Sequence, residues 1–111
     1  MPSRSIGCRI KVVKRMVQRD LIDTYMEDQY ADRGPCEVFE DGQEFEFDGY
    51  SALEKVPEGF CPSAWADIRQ DVFTLLVGGN IPGMKEQGTV VSSCHDWFRP
   101  VLFEIRRLNH E

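Results

Sequence analysis

The nineteen residues CPSAWADIRQDVFTLLVGG (61–79) constrain this fold more than any other stretch. Trp65, Ile68, Val72, Leu75 and Leu76 recur at helical spacing and make one apolar stripe. Pro62 suits the first position of a helix, where its missing N–H would be unpaired anyway. Gly78-Gly79 ends the run. The pattern predicts a central helix over about 62–77. A one-sided stripe needs a partner surface, so the remaining segments must supply one.

They read mainly as strands. Residues 8–17, CRIKVVKRMV, put Ile10 and Val12 on one face, and Val13 breaks the alternation as a bulge or strand end would. EFEF (44–47) alternates strictly, with Phe45 and Phe47 predicted inward and Glu44 and Glu46 outward. Strands are also predicted over 88–93 and 100–108; in the latter, Val101, Phe103 and Ile105 share a face. Leu21, Ile22, Tyr25 and Met26 suggest a short helix near 18–28. Gly34-Pro35 and Asp41-Gly42 mark the loop that follows. The order β-α-β-α-β-β does not demand parallel crossovers. It predicts one α+β domain over 1–111: a small, mostly antiparallel sheet of about four strands, or a half-barrel, with the helix on one face.

Charge is unevenly spread over a net of −6. Residues 1–20 carry Arg4, Arg9, Lys11, Lys14, Arg15 and Arg19 against Asp20, while residues 21–60 carry twelve acids against Arg33 and Lys55. The basic residues alternate with Ile10 and Val12, as on the wet face of a strand, so the acidic middle is their expected partner. The acidic balance argues against nucleic acid. No apolar stretch reaches membrane-spanning length, and the N-terminus lacks the apolar run of a secretory signal. The expectation is a cytoplasmic protein with reduced thiols.

Four cysteines then stand as thiols or metal ligands rather than disulfides. Cys61 precedes Pro62, at the cap of the central helix, where free N–H groups and the helix dipole favour a thiolate. Cys36 follows Gly34-Pro35 in a loop, and Cys94 follows a strand in Ser92-Ser93-Cys94-His95-Asp96. Cys8 opens the first strand and reads first as a buried residue. No two cysteines have the two- to four-residue spacing of a zinc knuckle. His95 and Asp96, as sequence neighbours, would face opposite ways in an extended segment. His110 sits at the C-terminus and reads as solvated. Glu37, Glu40 and Asp41 read as a solvated run rather than paired catalytic carboxylates. No P-loop, dinucleotide fingerprint, GxSxG or HExxH is present.

The stretches CEVFEDGQEFEF, PEGFCPSAW, GGNIP and CHDWFRPVLF together resemble a family of short prokaryotic proteins of unknown function. The shared pattern is C-x-x-F-x-x-G-Q-x-F, then P-E-G-x-C-x-x-A-W, G-G-N-x-P and C-x-D-x-x-R-P-V-x-F, spanning nearly the whole chain from Cys8 to Leu108. The resemblance implies that Cys36, Cys61, Cys94, Asp96, Arg99 and Pro100 occupy family positions; it implies no chemistry. Ile81 and Gly83 stand where the pattern has aromatic rings, and His95 where it has a small polar residue.

Three functions follow as expectations. In the first, Cys36, Cys61 and Cys94 converge at the N-terminal end of the central helix. There they bind zinc, another soft metal or an iron–sulfur cluster, with Cys8 or His95 as fourth ligand and Arg99 holding an anion or bridging to the acidic loop. In the second, the chain is a thiol enzyme or redox sensor with Cys61 reactive and Asp96 assisting. In the third, it is an interaction module with structural cysteines, forming a homo-oligomer through a sheet edge.

Overall fold

The computed structural model describes residues 5–49, 53 and 55–110. Strand β1 (Ser5–Arg15) leads to a short helix α1 (Arg19–Tyr25), a 3-10 turn (Asp28–Tyr30) and strand β2 (Glu44–Asp48). Helix α2 (Pro62–Leu76) follows, then strands β3 (Thr89–Ser93) and β4 (Val101–His110). The strands form an open antiparallel sheet in the order β2-β1-β4-β3, so the open sheet, not the half-barrel, is the α+β form adopted.

One face of the sheet receives α2. Cys8, Ile10 and Val12 of β1, Val90 of β3, and Val101, Phe103 and Ile105 of β4 are buried there. All five residues of the predicted stripe, from Trp65 to Leu76, are buried against them. Burying large apolar side chains yields roughly 1.5–3 kcal/mol each, so this layer dominates the favourable side of folding. Phe39, Phe45 and Phe60 extend the layer around Phe103, with ring centroids 4.9–6.1 Å apart. Glu44 and Glu46 face outward, as their alternation predicts; the side chain of Phe47 lies outside the described residues. The basic N-terminal residues find two acids of the middle segment, Arg15 with Asp41 at 3.0 Å and Arg9 with Glu44 at 4.0 Å.

Strand β1 starts and ends earlier than predicted, at Ser5 and Arg15, and α1 and β4 also differ in extent from the sequence reading. Helix α1 covers only seven residues because Met26 turns extended (φ −95°, ψ 153°). Of its predicted apolar stripe, Ile22 alone is buried, and Tyr25 is 74% exposed. Strand β4 runs on to His110, whose backbone pairs with Ser5 instead of forming a loose end; its side chain lies outside the described residues.

The far end of α2 is closed from β4. Residues paired directly across strands point to the same face, and Arg107 pairs with buried Cys8. Arg107 therefore continues the inward series of Val101, Phe103 and Ile105. Its Nη1 donates to the carbonyls of Leu75 (3.1 Å) and Gly79 (2.7 Å), and its Nη2 to Asn80 Oδ1 (3.1 Å). A cation thus meets the exposed carbonyls of a helix C-terminus. Asn80 Oδ1 also accepts the Gly88 N–H at 2.7 Å. At Gly79 a Cβ would come within 2.9 Å of the Thr74 carbonyl oxygen. The motif GGN is thereby explained as a helix stop. We expect Arg107→Met to cost about 2–3 kcal/mol in urea unfolding, because charge-assisted bonds to three acceptors are lost at once. Arg107→Lys should recover little, since one ammonium cannot reproduce the fork.

Candidate functional site

At the other end of α2, the ends of three segments distant in sequence meet. Cys61 is the N-cap of the helix, and its side chain makes no capping hydrogen bond. The preceding turn, closed by the Phe60 N–H on the Pro57 carbonyl (3.0 Å) and by Gly59 at φ +79°, buries Phe60 and leaves the neighbouring thiol half-buried. Pro62 has no N–H to offer, so the first free helix donors belong to Ser63 and Ala64.

Cys36 is held by arginines acting on carbonyls. The reason begins in β1. Val12 pairs with Phe103, but the next pair is Lys14 with Leu102, so Val13 is the extra residue of a bulge. The slip of one residue turns Arg15 to the core face, opposite buried Val101. From there its Nη1 donates to the carbonyls of Cys36 (2.9 Å) and Phe39 (3.0 Å), and its Nε to Asp41 Oδ1 (3.0 Å). The bond to Asp41 raises the guanidinium's pKa above its usual value. Arg19 donates to the carbonyls of Ala31 and Arg33, and Arg99 Nη1 to that of Gly34 (3.1 Å). The irregular loop 31–39 is thus fixed by three guanidinium groups from outside it.

Cys94 sits at the turn between β3 and β4. Its N–H donates to the Val101 carbonyl (3.1 Å), and the Val101 N–H donates to its sulfur at 3.3 Å. The turn is shaped by Asp96, whose Oδ1 accepts the N–H groups of Phe98 (3.1 Å) and Arg99 (3.0 Å). One carboxylate oxygen of Asp96, the residue read as assisting Cys61, is thus engaged by the backbone, while the residue also lines the cavity that Cys94 borders. The carboxylate that faces the histidine is instead Asp67 of α2. Its Oδ2 accepts the His95 N–H at 2.8 Å, and its Oδ1 lies 3.2 Å from His95 Nδ1. The exposed imidazole stacks on Trp97 (6.2 Å, 4°). Sequence reading missed Asp67, which looks like any acid on the polar flank of an amphipathic helix. Its only signal is Asp71 one turn on, which likewise ties the helix to β3 by accepting the Ser92 hydroxyl at 2.7 Å.

Cys36, Cys61 and Cys94 line one cavity of about 370 Å³. Phe39, Ala64 and Val101 form apolar wall, and Asp67, His95, Asp96 and Arg99 supply polar groups. The size and mixture suit a small-molecule site. Arg99 makes no ion pair to the acidic loop; it takes a carbonyl there instead.

Cys8 is not brought to this place. It pairs with Arg107, six residues along β4 from the cavity-lining Val101 and so about 20 Å away. Its thiol is fully buried, and burial pushes its pKa from 9.0 up to about 11, with the Arg107 charge opposing. The fourth-ligand role offered to Cys8 is therefore ruled out by strand register. Among the described residues no group of three or more His, Cys, Asp or Glu is arranged to hold a metal ion. No helix among them is long and apolar enough to cross a membrane. Comparison with family models, curated proteins and solved structures gives no match to this chain.

Proposed function

We propose that the cavity is a thiol reaction site for a small molecule, with Cys61 as its nucleophile. The observation that carries this reading is that three cysteines from separate segments line one ligand-sized cavity that also holds a histidine–carboxylate pair. A nucleophilic thiol needs a base and something to orient that base. Asp67 engages His95 Nδ1 and so leaves Nε2 as the proton acceptor, the same division of labour as in other nucleophile–imidazole–carboxylate sets. The free N–H groups of Ser63 and Ala64, on the same wall as Cys61, suit negative charge developing near the sulfur. Cys36 and Cys94 are the second thiols that a redox cycle through a disulfide would use.

A second reading, soft-metal or iron–sulfur binding, has the same three sulfurs in its favour, together with an N–H aimed at Cys94 Sγ. The donor types fit, but among the described residues their arrangement does not. Metal analysis of protein purified without oxygen decides between the two readings: bound zinc or iron in stoichiometric amount would favour the second.

The thiol reading is tested by alkylating the folded protein with iodoacetamide at pH 8 and mapping the sites by mass. Cys61 should label first, and Cys61→Ala should remove the fastest phase. Cys8 should label last, since a pKa near 11 alone slows it about a hundredfold against a thiol at 9.0. Equal, slow labelling of Cys61 and Cys8 would remove the basis for a reactive site.

A further inference from the structure

Arg99 borders not one cavity but three. Besides the thiol cavity it lines a space of about 450 Å³ with Arg33 and Cys36, and a smaller one of about 140 Å³ with Arg33, Ile22, Met26 and Phe98. Cys36 is common to the first two and Arg33 to the last two, so the spaces adjoin. Arg33 and Arg99 both line the space that Cys36 also borders.

Neither group makes an ion pair with a described residue, in a chain of 19 acids and 13 bases. The acids that border the same spaces are Asp67, Asp96 and Glu37. Asp67 is engaged by His95, and Asp96 Oδ1 by two backbone N–H groups; Glu37 forms no ion pair with either arginine. Arg33 is braced over the Tyr30 ring at 5.1 Å, and Arg99 by a single bond to Gly34. Most donors of both forks stay available, and planar forks of this kind match carboxylate and phosphate oxygens. Met26 and Phe98 offer apolar surface next to them, over the buried Ile22.

We infer that the ligand of the thiol site is an oxyanion, a carboxylate or phosphate on a short apolar body, and that Arg33 and Arg99 hold its anionic end. This rests on the thiol reading above and adds the substrate class.

Iodoacetate and iodoacetamide separate the two ideas. Each alkylates by the same step: sulfur bonds to carbon, iodide leaves, and the thiol proton passes to buffer. Only iodoacetate carries a carboxylate. The ratio of their rates at Cys36, Cys61 and Cys94, normalised to the urea-unfolded chain, should be raised about tenfold in the folded protein. It should fall to the unfolded value in Arg33→Gln and Arg99→Gln and persist in the two lysine variants. Arg33→Gln is the decisive variant, because the Arg33 guanidinium accounts for no hydrogen bond in the fold. Inorganic phosphate, compared with acetate at equal ionic strength, identifies the preferred oxyanion by which one suppresses iodoacetate labelling more. Brisk iodoacetamide labelling with a folded ratio equal to the unfolded one would overturn the oxyanion inference alone. Absence of iodoacetamide labelling at all three cysteines would overturn the thiol reading and this inference with it.

Discussion

Phe39→Ala is expected to destabilise the protein by about 3–5 kcal/mol, the usual cost of removing a buried phenylalanine. Phe39 lies in a loop, yet it is only 2% exposed. Its ring packs edge-on against Phe45, Phe60 and Phe103 at 6.1, 5.0 and 5.2 Å. Each such pair adds to the area term. The substitution also acts on the site. Phe39 is the apolar anchor of the segment that carries Cys36, and its carbonyl is one of the two that Arg15 Nη1 holds. Urea unfolding should show the lower midpoint with an unchanged slope, and iodoacetamide should reach Cys36 faster in the variant. Phe39→Leu should retain roughly half of the lost stability, since most of the apolar volume returns. A loss below about 1 kcal/mol, within the range of surface substitutions, would mean that the aromatic cluster does not anchor this loop.

The second large effect is a loss of stability in alkali that depends on Cys8. Its pKa is raised from 9.0 to about 11, first by burial, with Arg107 acting in the opposite sense. The folded chain therefore keeps the thiol proton where the unfolded chain has already lost it. Stability from this group is complete below pH 9 and falls as pH rises from 9 towards 11, because the unfolded state binds fewer protons there. Two pH units correspond to roughly 2–3 kcal/mol in total. Cys8→Ala should be slightly less stable at neutral pH, from lost packing. It should lack this component of the alkaline decline, although lysines and tyrosines titrate in both proteins. The measurement is the difference in urea-unfolding free energy between the two proteins at pH 8, 9, 10 and 11. A difference that stays constant across that range would show that Cys8 ionises as readily folded as unfolded.

The same residue shows how tertiary register sorts chemically identical side chains. Cys8 and Cys61 are both cysteines at element ends in the sequence. One pairs across the sheet with Arg107 under the C-terminal end of α2, and the other caps its N-terminal end. A fifteen-residue helix separates those ends by about 22 Å. No single metal or reaction centre can use both.

What the chain alone determined was local. The stripe from Trp65 to Leu76, the alternation of β4 and the irregularity at Val13 are periodic signals with neighbours two to four residues away. Each names its own element, because backbone geometry repeats on that scale. The helix stop at Gly78-Gly79 and the cap at Cys61-Pro62 are of the same kind. Tertiary structure decided which element ends meet. It placed Asp67 against His95, turned Arg15 inward through a one-residue bulge, gave Asp96 to the backbone, and sent Cys8 to the opposite end of the helix. Those outcomes depend on strand pairing between residues some ninety positions apart, where a slip of one residue reverses every side chain. No spacing within a single segment carries that information.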